Sequence, residues 1–433
     1  MFFGTDGIRG RAGSDITPQL AYRLGFAVAQ VLSAVAFVGY DTRESSLELS
    51  RAVMAGLRDG GAAAINLGVI ATPAVAVIAE ERGGVGVIVS ASHNPWEDNG
   101  LKVLGFGGGK LDQATETAVS NALEVAPSHD GPFADVPVDE SGAEDYATRL
   151  ISLFSPDALS SLHIVVDCAN GAGGRSAPSV LDALGARVTV LHNEPTGRNI
   201  NDQCGSTHPQ SLVAAVTELG ADLGIALDGD ADRLIAVDAD GIVRDGDDLL
   251  AIFATDFAQR GVALPGVVLT TMSNWGVRRA LEAQGLDVVE TDVGDRHVLF
   301  AMEERGWPLG GEQSGHLIFA DYSPTGDGLL TGLLLADLVA RRGPLHLLAD
   351  GSWHRVPQRL VNLPKDLYDD DATRILLDDE LDRFSLGVDD VRIIIRPSGT
   401  EPVVRVMIEA DNAELVESFC EKLLRLHTPA SHH

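Results

Sequence analysis

Short runs of branched apolar residues alternate along the chain with longer stretches whose apolar positions recur every three or four residues. Residues 37–40, 63–67 and 85–89 read as strands, and residues 20–33, 47–59 and 72–81 as helices. Thr17-Pro18 supplies an N-cap and a first-turn residue for the first helix. Strand and helix in alternation predict a parallel sheet with helices on both faces. The run at 85–89, Val-Gly-Val-Ile-Val, has no polar position, as expected for a strand buried on both faces. It leads into Ser90-Ala91-Ser92-His93-Asn94-Pro95, and a turn is expected at Asn99-Gly100. A hydroxyl just past the carboxyl end of a buried strand lies where open α/β sheets place ligands.

The pattern then repeats. Residues 126–141 are rich in Pro, Asp and Ser and read as a surface connection, followed by a bridging helix at 143–154. A first domain is therefore expected over 1–148. Strands at 163–167 and 223–227 mark a second over 149–247. Strands at 267–270 and 286–290 and a helix at 329–341 mark a third over 248–361, and strands at 391–395 and 403–409 a last one over 362–433. Gly171-Ala172-Gly173-Gly174 nearly imitates a dinucleotide fingerprint, but Ser176 stands in place of the third glycine, and a strand-to-helix turn accounts for the glycines equally well.

Composition narrows the class. A chain of 433 residues, 45% apolar and 22% charged, is that of a soluble folded protein of several domains. Its formal charge of −31 argues against non-specific nucleic-acid binding, because phosphates are repelled. Cys168, Cys204 and Cys420 are scattered and odd in number, which opposes a disulfide framework. No apolar run suits a bilayer and no leader fits ahead of Gly4, so a cytoplasmic location is expected. An anionic ligand would require cations gathered locally. Lys102 and Lys110, two of only four lysines, both lie within twenty residues of Ser92.

Three further loops carry candidate chemistry. In Asp228-Gly229-Asp230-Ala231-Asp232-Arg233, three carboxylates at alternating positions on a tight loop suit a hard cation such as Mg²⁺. An EF-hand is excluded, since Arg233 stands where that loop needs glycine and Ala239 where it needs glutamate. Cys204 and His208 fit no standard zinc spacing and lack partners in sequence. In Gly310-Gly311-Glu312-Gln313-Ser314-Gly315-His316, Glu312 and Ser314 can address neighbouring sugar hydroxyls, although from the residues alone a polar hairpin turn is the preferred reading. Arg396-Pro397-Ser398-Gly399-Thr400-Glu401-Pro402, with Arg405 beyond it, offers hydroxyls, a backbone nest and two guanidinium groups to a phosphate.

Ser90-Ala91-Ser92-His93-Asn94-Pro95 resembles the active-site loop of the alpha-D-phosphohexomutases, in which the serine before the histidine, here Ser92, carries a phosphoryl group. The loop at residues 4–10 with Arg9, the aspartate loop, the loop at 312–316 and the loop at 396–405 match that family in order over nearly the whole chain. The resemblance implies three similar mixed-sheet α/β domains and a smaller α+β C-terminal domain around a central cleft. It implies a phosphoserine at Ser92 on an exposed loop, and Mg²⁺ held by Ser92, Asp228, Asp230 and Asp232. Arg9, Lys102 and His316 would be catalytic. Glu312 and Ser314 would hold the sugar, and Arg396, Ser398, Gly399, Thr400 and Arg405 the distal phosphate. Gln313 and the string at 204–209 are similar to the branch acting on glucosamine phosphates. That branch implies reversible conversion of glucosamine 6-phosphate to glucosamine 1-phosphate through a sugar 1,6-bisphosphate, in the supply of UDP-N-acetylglucosamine for bacterial walls. Ser46 and Ala74 depart from glycines common in the family, away from the chemistry. The competing readings are a mannose or glucose phosphomutase, a metal-dependent sugar-phosphate phosphatase and a non-catalytic phosphosugar-binding regulator. The expected partner is a small phosphosugar, with neither nucleic acid nor membrane; a homodimer is compatible with the sequence but not fixed by it.

Overall fold

The computed structural model describes residues 7–397 and 402–427. The first sheet is built from β1 (Ile8–Arg11), β2 (Ala36–Tyr40), β3 (Ala64–Val69), β4 (Val85–Val89) and β5 (Asp98–Leu104), in the order β1-β5-β4-β2-β3. Its helices are α1 (Pro18–Leu32), α2 (Ser46–Asp59), α3 (Thr72–Arg82), α4 (Gln113–Val125) and α5 (Ser141–Ser152). Thr17 caps α1 as expected, its hydroxyl accepting from Leu20 N at 3.2 Å. Helices α1 and α2 meet backbone to backbone: a Cβ on Gly25 would lie 2.1 Å from Val53 O, and one on Gly56 1.9 Å from Tyr22 O. Leu24, Val28, Val53, Met54 and Leu57 from these helices pack in one core with Val38, Val87 and Val89 of the sheet.

Strands β2, β3 and β4 are parallel, but β5 runs antiparallel to both β4 and β1. The sheet is therefore mixed rather than purely parallel. Asn99 and Gly100, expected to turn, lie inside β5 opposite Gly10 and Arg9. The reason is connection length: the loop at 90–97 is too short for a parallel crossover, so the strand after it must come back antiparallel.

The same step recurs twice. The second sheet, in the order β10-β9-β8-β6-β7, holds β6 (His163–Asp167), β7 (Arg187–Leu191), β8 (Leu223–Leu227), β9 (Leu234–Asp238) and β10 (Val243–Arg244), with α6 (Ala177–Ala183) and α7 (Gln210–Leu219). Strands β6, β7 and β8 are parallel, and β8 returns as antiparallel β9. The third sheet, in the order β12-β11-β13-β14, holds β11 (Gly266–Thr270), β12 (Asp287–Thr291), β13 (Leu309–Gly311) and β14 (Leu317–Phe319). Here β13, parallel to β11, returns as antiparallel β14. The helices along this part of the chain are α8 (Gly246–Arg260), α9 (Trp275–Ala283), α10 (Asp295–Arg305), α11 (Gly328–Arg342) and α12 (Leu345–Asp350). The acids at 238–248 form a hairpin turn and a helix start. Asp238 Oδ1 accepts from Asp240 N and Ile242 N, and Asp245 and Asp248 form a capping box on α8. Three equivalent reversal loops thus emerge, at 90–97, 228–233 and 312–316.

A separate compact unit takes in residues 353–427 together with 271–285, and so includes α9. Its elements are β15 (Gln358–Pro364), α13 (Asp370–Phe384), β16 (Val391–Pro397), β17 (Val403–Ala410) and α14 (Ala413–Leu426), with an antiparallel sheet ordered β15-β17-β16. Strand β15 runs through residue 362, where the last domain was expected to begin. Buried Glu409 ties α9 to this sheet, accepting from Trp275 N at 2.9 Å and Arg392 Nη1 at 2.6 Å. Among the described residues, no helix is long and apolar enough to cross a membrane.

Candidate active site

Ser92 follows β4 with φ at +52°, a left-handed backbone that a serine adopts only when its surroundings impose it. The imposing contacts are identifiable. Ser90 Oγ accepts from Ser92 N at 2.9 Å and donates to Asp41 Oδ2 at 2.6 Å. Asp41 lies just past β2 and also accepts from Arg43 Nε at 2.8 Å. The Arg43 guanidinium then donates to the carbonyls of Ser92 (2.8 Å), Asn94 (2.8 Å), Asp98 (3.0 Å) and Pro95. Asn201, from the second domain, donates to Ser92 O at 2.9 Å. Gly229 permits this approach, because a Cβ there would sit 2.6 Å from Ser92 O. Contrary to the exposed loop expected, Ser92 is 0% exposed, since the second domain's loops close over it.

The Ser92 hydroxyl donates to Asp228 Oδ2 at 2.6 Å and lies 3.3 Å from His93 Nδ1. Asp228, Asp230 and Asp232 are all buried, each offering an oxygen within 4.8 Å of the others. Lys102 Nζ lies 2.9 Å from Asp230 Oδ2 and 3.4 Å from Asp232 Oδ2. Thr72 Oγ1 donates to Asp230 Oδ2 at 2.6 Å. Arg233 Nε and His316 Nδ1 each lie 3.8 Å from Asp232 Oδ1. The crowding divides the carboxylates electrostatically. Burial, with Asp232 and Asp230 as neighbours, raises Asp228 well above the usual range. Burial acts on Asp232 in the same sense, but Lys102, His316 and Arg233 outweigh it and hold that group well below the usual range. His316, which burial would lower, is raised by Asp232. His93 is pushed down to about 4 by burial and by the nearby charges of Arg233 and Arg9, so its imidazole is neutral at neutral pH.

These residues fit a divalent metal. Asp230 Oδ1 and Asp232 Oδ1 are buried oxygens without a hydrogen-bond partner, and an all-oxygen set of three carboxylates suits Mg²⁺. The structure thus gathers Ser92, Asp228, Asp230, Asp232, Lys102 and His316 at one point. Arg9 is close enough to act on His93, and Glu312 on both Arg233 and His316. Glu312 is held by Gly294 N at 3.0 Å, with Ser314 Oγ 3.5 Å away, while Gln313 Nε2 donates to Asp247 Oδ2 at 3.2 Å. Arg396 and Arg405 stand directly opposite each other on β16 and β17. Ser398, Gly399 and Thr400 lie outside the described residues.

Sequence reasoning assigned no role to Arg43, Asp41, Thr72, Asn201 or Arg233. Position did carry a signal for Asp41 and Arg43, which follow β2 as Ser92 follows β4. Asn201 and Thr72 carry none, since only tertiary contacts bring them in.

The chain matches the family model "Phosphoglucomutase/phosphomannomutase" in all four parts: alpha/beta/alpha domain I at residues 1–129, domain II at 144–241, domain III at 245–356 and the C-terminal domain at 381–426. It is 42% identical to a phosphoglucosamine mutase of Salinispora arenicola, over 97% of each chain. It is 44% identical to one of Desulforudis audaxviator, over 98% of this chain and 97% of that protein. Among solved structures, a phosphoglucomutase/phosphomannomutase family protein of Burkholderia thailandensis superposes with a TM-score of 0.79 at 25% identity, covering 99% of this chain and 97% of that one. An Aspergillus fumigatus N-acetylphosphoglucosamine mutase, solved with GlcNAc-6P and magnesium, shares the fold at TM-score 0.64 and 18% identity, over 98% of this chain and 95% of that one.

Proposed function

The chain belongs to the phosphoglucomutase/phosphomannomutase family of alpha-D-phosphohexomutases, and we propose that it interconverts glucosamine 6-phosphate and glucosamine 1-phosphate. The observation that carries this reading is the Ser92 hydroxyl, 2.6 Å from Asp228 within a buried cluster of three carboxylates. The sugar choice rests on relatives 42–44% identical over nearly the full chain. The reaction would serve UDP-N-acetylglucosamine synthesis in the cytoplasm.

Ser92, once phosphorylated, presents its phosphoryl group to O1 of the 6-phosphosugar: the Ser92 Oγ–P bond breaks and the O1–P bond forms. The sugar 1,6-bisphosphate so made reverses its orientation and returns the 6-phosphoryl group to Ser92 Oγ. Asp228, Asp230, Asp232 and an oxygen of the phosphorylated Ser92 would hold Mg²⁺, whose chemistry is to neutralise charge on the transferring phosphoryl oxygens. Transfer of this kind demands positioning above all. Arg43 and Asn201 position Ser92 through its carbonyl, while Lys102 and Arg9 add cations close by. We assign proton exchange with the sugar hydroxyls to His316, whose Nε2 is buried without a hydrogen-bond partner. Glu312 and Ser314 would hold the sugar ring, and the loop of Arg396, Ser398, Gly399, Thr400 and Arg405 the distal phosphate. Work is thus divided among domains 1–148, 149–247, 248–361 and 362–433.

Ser92→Ala tests the reading. With glucosamine 6-phosphate, the wild type should form the 1-phosphate without accumulating free phosphate, and the variant should do neither while keeping its fold. Steady release of free phosphate by the wild type would make the protein a phosphatase. Isomerisation by the variant at a substantial fraction of the wild-type rate would remove Ser92 from the chemistry. Faster turnover of glucose or mannose 6-phosphate would change the substrate.

A further inference from the structure

We propose that Asp167, His192 and Cys204 form a second metal site, one that takes Zn²⁺ and is separate from the Asp228-Asp230-Asp232 cluster. Asp167 ends β6, His192 directly follows β7, and Cys204 lies in the loop before α7. Their carboxylate oxygen, ring nitrogen and sulfur atoms all lie within 4.8 Å of one another. His192 Nδ1 is 3.0 Å from Asp167 Oδ2, yet this buried nitrogen makes no hydrogen bond, so the contact is close but misdirected. Two atoms that each point at a shared third atom look like this. Nitrogen and oxygen ligands of tetrahedral zinc, each at roughly 2.0–2.2 Å from the metal, lie about 3.3 Å apart.

The remaining valences agree. Asp167 accepts Ala169 N at 2.9 Å on Oδ1 and Gly205 N at 3.0 Å on Oδ2, which fixes the carboxylate and leaves Oδ2 a lone pair. The Cys204 sulfur has a distant amide donor, Asn170 Nδ2 at 3.9 Å. One sulfur, one imidazole nitrogen and one carboxylate oxygen select Zn²⁺ over Mg²⁺, the reverse of the all-oxygen cluster. The route in runs past His192, whose side chain is 31% exposed, and solvent there can complete four-coordination. Binding forms the sulfur–zinc bond and releases the thiol proton of Cys204 to solvent. The spacing 167, 192, 204 matches no sequence pattern for zinc because the ligands come from the end of β6 and from two separated points of the connection between β7 and α7. The site also bears on the reaction: Asn201, which donates to Ser92 O, lies between His192 and Cys204 in the same connection, with its own N–H on Ala169 O at 2.9 Å.

The test is a titration of the full-length protein with Co²⁺, a coloured stand-in for Zn²⁺, in excess Mg²⁺. The expected result is one equivalent of Co²⁺ with a sulfur-to-cobalt charge-transfer band, bleached by added Zn²⁺. The band should survive in Cys168→Ser and Asp230→Asn and vanish in Cys204→Ser. His192→Gln, on a partly exposed side chain, should weaken Co²⁺ binding at least about tenfold. No band in the wild type, a band that persists in Cys204→Ser, or unchanged affinity in His192→Gln would overturn the proposal. Loss of the band in Asp230→Asn would show that the sulfur site is not separate from the phosphoryl-transfer cluster and overturn it as well.

Discussion

Arg43→Lys should cost both stability and turnover, through a residue placed to touch the serine loop rather than the sugar. The Arg43 side chain is 0% exposed and feeds Asp41 and four carbonyls: those of Ser92, Asn94, Pro95 and Asp98. Lysine keeps the charge but loses the planar fork, and its single nitrogen has three donors. Even with the Asp41 contact kept, at least two of the four carbonyls lose their donor. At roughly 1.5–3 kcal/mol for each hydrogen bond to a charged group, the cost is about 3–6 kcal/mol, with the lower end favoured where the loop relaxes. Relaxation is itself the functional damage, because it frees Ser92 from the left-handed conformation at φ +52°. A misplacement of about 1 Å can cost about a hundredfold, so kcat should fall about 10- to 100-fold while KM for glucosamine 6-phosphate moves much less. Urea unfolding gives the first quantity. Steady-state kinetics give the second, with Ser92 phosphorylation equalised and checked by intact mass. If kcat stays within about twofold, or KM rises with kcat unchanged, the clamp does not position the nucleophile.

Asp230→Asn should raise the Mg²⁺ concentration needed for half-maximal activity, since it removes one charge from a three-carboxylate cage; an unchanged titration would show that Asp230 is not a ligand. Asp327 caps α11, and burial raises its carboxyl from 3.8 to about 6 despite Leu330 N and the Tyr146 hydroxyl. Between those values the folded chain keeps a proton that the unfolded chain has released, so this group's contribution is complete below pH 3.8 and is lost as pH rises through about 6. The loss is at most about 3 kcal/mol, at about 1.4 kcal/mol per pH unit. Asp327→Asn, an equally good cap, should abolish that slope, so its unfolding free energy should gain on the wild type between pH 4 and pH 7; parallel curves would refute the shift. Arg405→Lys should raise KM for glucosamine 6-phosphate more than it lowers kcat, and Arg9→Lys should do the reverse; one common pattern would end the proposed division between distal and reacting phosphates.

Local pattern carried much of this. The apolar runs at Val85–Val89 and Leu223–Leu227 announce buried strands because side-chain burial on both faces leaves no polar position, and in His163–Asp167 the polar residues stand only at the two ends. The loops after two of them hold Ser92 and the three aspartates for the same reason: polar groups must sit where the strand leaves the core. Ordered motifs then identified the family. The pattern failed where non-local contacts outweigh local preference. Asn99-Gly100 is a turn by propensity, yet pairing with Arg9 and Gly10 makes it strand. No periodicity reveals that Ser92 is covered, because Asn201 and Gly229 arrive more than a hundred residues later in the chain. Arg43 has no assigned role until its four carbonyl partners are seen. Cys204 stands at no standard zinc spacing in sequence and gains Asp167 and His192 only when β6 and β7 lie side by side. Which elements form, and which loops are polar, depends on neighbours a few residues away; which side chains converge depends on the stacking of strands from distant parts of the chain, and only the packed structure holds that information.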